Sequence, residues 1–210
     1  MSRSMSMAAH GRTPPSRVEN VTENHTPDLA RLPQFLVRLE QRDPGRPSLA
    51  RQLLDAGWLV DDFWGPVQMD VWRLALRRGD RAAVFGIERG AVDEVRIGPV
   101  GGAEDEFTPL SFAVLGWARS CGAPVPLDDP DAFRPDAVAH GLAALDWLEE
   151  GNDAVLARIQ AAWEEYGRRR WSLDQRLGPA WLAETKERGI REIEAAAAPT
   201  GHESRTERLE

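Results

Sequence analysis

The chain has 210 residues, with 26 basic against 34 acidic side chains and a formal net charge of -8. Its longest stretch without a charged residue, 107–118, is shorter than the about 20 apolar residues of a transmembrane helix, so we expect no membrane span. The single cysteine excludes a disulfide framework, and the acidic balance argues against nucleic-acid or anionic-lipid partners.

The first 25 residues are rich in Ser, Thr, Pro and Arg, and we expect them to be disordered. They lack the apolar run of a secretory signal, which predicts a cytoplasmic location. Lys186 is the only lysine among the 26 basic residues, and this preference for arginine indicates a bacterial coding sequence of high GC content.

Two short helices are predicted at the start of the ordered chain. Thr26-Pro27 has the form of an N-cap followed by proline at the first helical position. Apolar residues then recur at helical spacing: Leu32, Phe35, Leu36 and Leu39. The segment 43–47 predicts a turn, and a second helix follows over 49–56 and ends at Gly57.

The middle of the chain predicts a β-meander, because short apolar runs are separated by glycine-containing turns. We expect antiparallel strands over 69–78, 82–89 and 92–98, with a fourth over 58–64. Trp72 and Leu74 flank Arg73 in the first of these strands. One face of the sheet should therefore be buried and the other in contact with solvent.

Helical patterns fill the carboxyl-terminal half. Thr108-Pro109 repeats the cap signature before a helix that is apolar nearly all round, Leu110 to Ala118. Further helices are predicted over 135–150, 153–170 and 179–197. This order predicts an α+β fold, in which a small antiparallel β-meander of three to four strands packs against five or six α-helices. The predicted division is a disordered segment 1–25, a single domain 26–197 and a disordered tail 198–210.

Sequence motifs for catalysis are absent: the chain has no G-x-G-x-x-G, G-x-x-x-x-G-K-[ST], H-E-x-x-H or G-x-S-x-G. We therefore expect no catalytic residues, cofactor or metal. Of the four histidines, only His140 lies within a predicted element. With Cys121 it offers a thiol–imidazole pair, and an enzyme built on this pair is one alternative hypothesis.

Negative charge is concentrated in residues 101–136, which contain seven acidic residues and two arginines and so have a net charge of -5. Asp128, Asp129 and Asp131 are candidates for steering a partner with a basic surface, because charge complementarity accelerates association. The alternative is a loop of solvated acids.

The predicted helix 135–150 has two faces that differ from those of an ordinary amphipathic helix. Val138, Leu142 and Leu145 share one face, while His140 and Trp147 lie on the opposite one. Either the helix lies between two packed layers, with Trp147 filling the second, or His140 and Trp147 are exposed and anchor a partner.

These features predict a non-catalytic, cytoplasmic bacterial domain that binds another protein, such as an immunity-type inhibitor or an adaptor. The interface candidates are His140, Trp147, Asp128, Asp129 and Asp131. A less favoured alternative is nucleic-acid binding through the basic run Arg168 to Trp171, by phosphate contacts and base stacking. The competing interpretation is that these arginines complement the helix dipole and pair with Glu164 and Glu165.

Overall fold

The computed structural model describes residues 29–67, 70–171 and 179–199. After a 3-10 turn over Leu29–Arg31 come helices α1, Leu32–Arg42, and α2, Gly45–Asp55. The strands are β1, Leu59–Val67, β2, Val71–Arg78, β3, Arg81–Glu88, β4, Ala91–Val92, β5, Arg96–Pro99, and β6, Thr108–Pro109. The remaining helices are α3, Leu110–Cys121, α4, Ala137–Glu149, α5, Asp153–Trp171, and α6, Pro179–Ala197. The predicted α+β class is confirmed, with its helices concentrated in the carboxyl-terminal half.

The strands form one antiparallel sheet in the order β1-β2-β3-β5-β6, with β4 paired to β3. The predicted meander is confirmed, but the strand expected over 92–98 is divided into β4 and β5. The backbone N–H of Asp93 donates to Gly86 O at 3.1 Å where this division begins. Thr108-Pro109, expected as a helix cap, is instead the short strand β6, because Thr108 pairs with Ile97 of β5.

The inner face of the sheet contributes one side of the core, and the helices contribute the other. Trp72, Leu74 and Leu76 are each at most 2% exposed, as their alternation predicted. Helix α1 packs against this face through Phe35, whose ring lies 5.9 Å from that of Trp72 between centroids. Burial of apolar surface at about 25 cal/mol per Å² therefore fixes which face of the sheet points inward.

Helix α3 is buried along most of its length, as its nearly uniform apolar sequence predicted. It ends at Gly122, whose φ of 73° gives the left-handed C-cap that favours glycine. Helix α5 covers the range predicted for it, and Val155, Ile159 and Tyr166 recur at helical spacing on its buried face. None of the helices in the described ranges combines the length and the apolar character needed to cross a membrane.

Two expectations about the first helices have different outcomes. The turn expected over 43–47 is confined to residues 43–44, because α2 already begins at Gly45. Asp43 accepts hydrogen bonds from Gly45 N at 3.1 Å and Arg46 Nε at 2.9 Å, and Pro47 is tolerated in the first helical turn. The Thr26-Pro27 cap, the expected disordered segment 1–25 and all but the first two residues of the expected tail 198–210 lie outside the described residues.

Candidate functional site

The outer face of the sheet differs from the inner one in what covers it. Residues that alternate with the core positions point to this side, among them Arg73 on β2 and Val84 on β3. A cleft of about 540 Å³ lies here, lined by strands, loops and the first residue of a 3-10 turn over Glu104–Glu106, with no residue from an α-helix. Phe107 is buried on this side without joining the core that the helices cover. The described helices thus leave a formed concave surface uncovered.

The row Trp64, Arg73 and Gly86 crosses the cleft on three neighbouring strands. Gly86 leaves room in this row for another side chain, since a Cβ atom there would lie 2.5 Å from Oδ2 of Asp93. The Asp93 carboxylate therefore occupies the space of the absent side chain. Glycine inside a strand is otherwise unfavourable, and here it permits this close approach.

Two charged side chains of the cleft have no partner within the described residues. Arg73 makes no hydrogen bond or ion pair there, and its Nε atom is buried without an acceptor. The Asp93 carboxylate accepts no hydrogen bond from the same residues, and burial, followed by the charge of Glu88, raises its pKa. A perturbed carboxylate and an unpaired guanidinium in one cleft are typical of a binding site.

The other charged groups of the cleft are already engaged. Arg96 donates from Nη2 to Phe107 O at 2.6 Å, and Glu94 accepts from Ser111 Oγ at 2.6 Å. Four carboxylates and two guanidiniums line the cleft, so its net charge is -2: Arg73, Glu88, Asp93, Glu94, Arg96 and Glu104.

Two of the three acids expected to steer a partner are bound to this chain's own helices. Lys186 Nζ on α6 lies 2.6 Å from Asp129 Oδ2 and 3.3 Å from Asp131 Oδ2. Tyr166 on α5 donates to Asp131 Oδ1 at 3.0 Å, and the Lys186 hydrogen bond lowers the pKa of Asp129. Asp128 is exposed. We call Asp129, Asp131, Tyr166 and Lys186 the loop clamp, and its steering role stays a prediction.

Of the two arrangements considered for α4, the structure has the one in which Trp147 is packed in a second layer. Trp147 is only 7% exposed and lies against Gly116 of α3, where a Cβ would come 2.5 Å from the indole. The exposed alternative for Trp147 is therefore wrong, because the glycine opens a space that the indole fills. His140 is half-buried, with its ring 5.1 Å from that of Trp117 between centroids.

The residues behind the enzyme alternative are not joined by a hydrogen bond in the described chain. Cys121 is exposed, and its thiol donates to Ala118 O at 3.9 Å, while His140 contacts Trp117. Nor do the described residues contain a group of three or more His, Cys, Asp or Glu side chains placed to hold a metal ion.

The basic run behind the nucleic-acid alternative is largely neutralised by the chain's own acids. Arg168 lies 2.7 Å from Glu165, Arg169 pairs with Glu192, and Arg170 lies 3.4 Å from Asp131. Trp171 is 85% exposed at the end of α5. Phosphate contacts would have to compete with these ion pairs.

Sequence reasoning missed Asp93 and Gly86. Arg73 was expected on the solvent-facing side of the sheet, but nothing in its pattern showed that it would lack an acid. The available signal was Gly86 within the apolar run of β3, because a glycine inside a strand indicates close approach by another group.

Comparison with known proteins adds no relative. No protein-family model, curated protein or solved structure matches this chain. The functional proposal therefore rests on the cleft of the outer sheet face and on the charges that line it.

Proposed function

We propose that this chain is a non-catalytic protein-binding domain whose partner docks on the outer face of the sheet. The observation that carries the proposal is a formed cleft, uncovered by the described helices, that holds the unpaired Arg73 and Asp93. Unsatisfied charged groups are costly within one chain and become favourable when a partner supplies the missing group.

The charge of the cleft supports a partner with a basic surface. Its net charge of -2 has the same sign as the charge of the whole chain, so attraction begins before contact and weakens as salt is added. An immunity-type inhibitor that covers a basic site, or an adaptor, would use such a surface. The free Cys121 suits a reducing compartment, and we propose the bacterial cytoplasm.

The edge of the sheet is a less suitable docking site than its face. Strand β1 forms one edge, but its pairing with β2 is irregular between Val60 and Asp62 and again between Trp64 and Val67. Pro66 in the second irregularity has no N–H to donate. Bulges, proline and charge are the features by which proteins prevent strand addition at an edge.

The test is recovery of a partner from a native lysate at low salt, with two matched variants as bait. Val84→Arg places a cation on the outer face, and Val37→Arg places the same side chain on α1, where Val37 is 51% exposed. We expect a stoichiometric partner with the wild type and with Val37→Arg, and binding at least about tenfold weaker with Val84→Arg.

Titration calorimetry of the purified pair measures this difference in affinity and its dependence on salt. Recovery of no stoichiometric partner by the wild type at low salt would count against the proposal. A partner that binds Val84→Arg as well as the wild type would show that the outer face is not the docking surface.

A further inference from the structure

We infer that the cleft receives a basic side chain of the partner, preferably arginine, and that Asp93 is the residue that binds it. This inference rests on the proposed function and specifies the chemistry by which the partner is recognised. It follows from how Asp93 is held, from the charges around it, and from the position of Arg73.

Asp93 is fixed by its backbone, and its carboxylate is left unused. Its N–H donates to Gly86 O at 3.1 Å, and its carbonyl accepts from Nη1 of Arg46. The carboxylate lies over Gly86 and accepts no hydrogen bond from the described residues. An acceptor that is already positioned loses little side-chain entropy when a donor binds.

The surroundings of Asp93 favour a cation. Burial and the nearby Glu88 carboxylate disfavour its ionised form and outweigh the opposing charges of Arg46 and Arg96, so an incoming positive charge would relieve both effects. Glu94 and Glu104 line the same cleft. Arginine fits best, because its planar guanidinium can bind a carboxylate through two parallel hydrogen bonds and has a smaller desolvation cost than an ammonium group.

Arg73 explains why the occupant should be part of a polypeptide rather than a free cation. It lies beside Gly86 across the β2–β3 pair, with Trp64 on its other side. Its guanidinium lacks an acceptor in the described chain, and a backbone carbonyl next to the incoming arginine would supply one. Trp64 offers an apolar surface to the aliphatic part of that arginine.

The probe is N-acetyl-arginine amide, added to the full-length, ¹⁵N-labelled chain. N-acetyl-citrulline amide is the control, since it has nearly the same shape without the charge. We expect saturable shifts of the Gly86 amide and the Trp64 indole N–H with the arginine compound and none with the citrulline compound. Asp93→Asn should weaken binding by about tenfold or more, whereas Asp128→Asn, which removes the same charge elsewhere, should leave it unchanged.

Equal shifts with the two compounds, shifts outside the cleft, or unchanged binding by Asp93→Asn would each overturn the inference. Should Asp93→Asn fail to fold, the comparison of the two compounds on the wild type decides. A partner that is lost with Val84→Arg but retained by Asp93→Asn would also overturn it, while leaving the docking face intact. If the cleft binds the arginine compound but no protein partner is recovered, the inference about Asp93 is supported and the proposed function is not.

Discussion

The outer-face cleft and the loop clamp are built from the same kinds of side chain but use them in opposite ways. In the clamp, Lys186 and Tyr166 contact Asp129 and Asp131, and the loop is thereby fixed to α5 and α6. In the cleft, Arg73 on β2 and Asp93 both neighbour Gly86 of β3, yet no ion pair joins their side chains. Acidic residues in a sequence therefore do not by themselves mark a binding surface, because their partners within the fold decide what they do.

The largest expected effect is the loss of stability when a buried side chain is removed next to the loop clamp. Tyr166 on α5 is 2% exposed, lies against Gly189 of α6 and donates to Asp131 of the loop clamp. We expect Tyr166→Ala to reduce the free energy of unfolding by about 3–5 kcal/mol, since it leaves a cavity and removes the hydrogen bond to Asp131. Urea denaturation measures the change. Trp171→Ala, at the exposed end of the same helix, is the control, with an expected change within about 0.5 kcal/mol.

The next prediction compares the two regions directly by removing one cation from each. Lys186→Met should cost about 1 kcal/mol, a modest value because the ion pairs are partly exposed to solvent. Arg73→Met should leave stability unchanged or raise it, because Arg73 has no partner to lose among the described residues and its buried Nε atom is unsatisfied. Thermal unfolding of the two variants would contradict the comparison if Arg73→Met were the more destabilised.

The smallest expected effect concerns pH: the contributions of two carboxyl groups to the free energy of unfolding should change in opposite directions as pH rises. Hydrogen bonding to Arg169 lowers the pKa of Glu192 to about 2, so its contribution is present above its unfolded pKa and is lost as pH falls towards 2. The pKa of Asp93 is raised, so its contribution is largest when it is protonated and is lost as pH rises through its folded pKa.

Stability curves of Glu192→Gln and Asp93→Asn against pH measure this contrast. Glu192→Gln should reduce the loss of stability between the ordinary glutamate pKa and about pH 2. Asp93→Asn should be relatively more stable at neutral pH than at acid pH. Parallel curves for the two variants would show that the carboxyl groups are in equivalent environments.

The sequence predicted the fold class because its periodicities are local. Trp72 and Leu74 alternate on a strand, the apolar stripe of α5 recurs with helical spacing, and Gly79 ends a strand at a turn. Local pattern failed at residues 43–47 and 108–109, where a proline within the first helical turn and a two-residue pairing with β5 decided the structure. The start of α2 depends on Asp43 and Pro47, which are local in sequence, whereas the pairing of Thr108 with Ile97 depends on a tertiary neighbour that a local pattern does not show.

The candidate site was less predictable for the same reason. Trp147 has the sequence position of an exposed anchor, but Gly116, distant in sequence, accommodates its indole. Asp128 and Asp129 are equivalent in the sequence pattern, but the fold places Lys186 next to Asp129. Asp93 and Gly86 become a site only through the division of β4 from β5.

The position of Lys186 has a practical consequence for proteolysis. Because it is the only lysine, a protease specific for lysine has one peptide bond to cut, Lys186-Glu187, in the interior of α6. Cutting requires that part of α6 to open, and the lysine must first leave the two aspartates. The rate of that single cleavage, followed under native conditions, would therefore report the opening of one helix without signal from the rest of the chain.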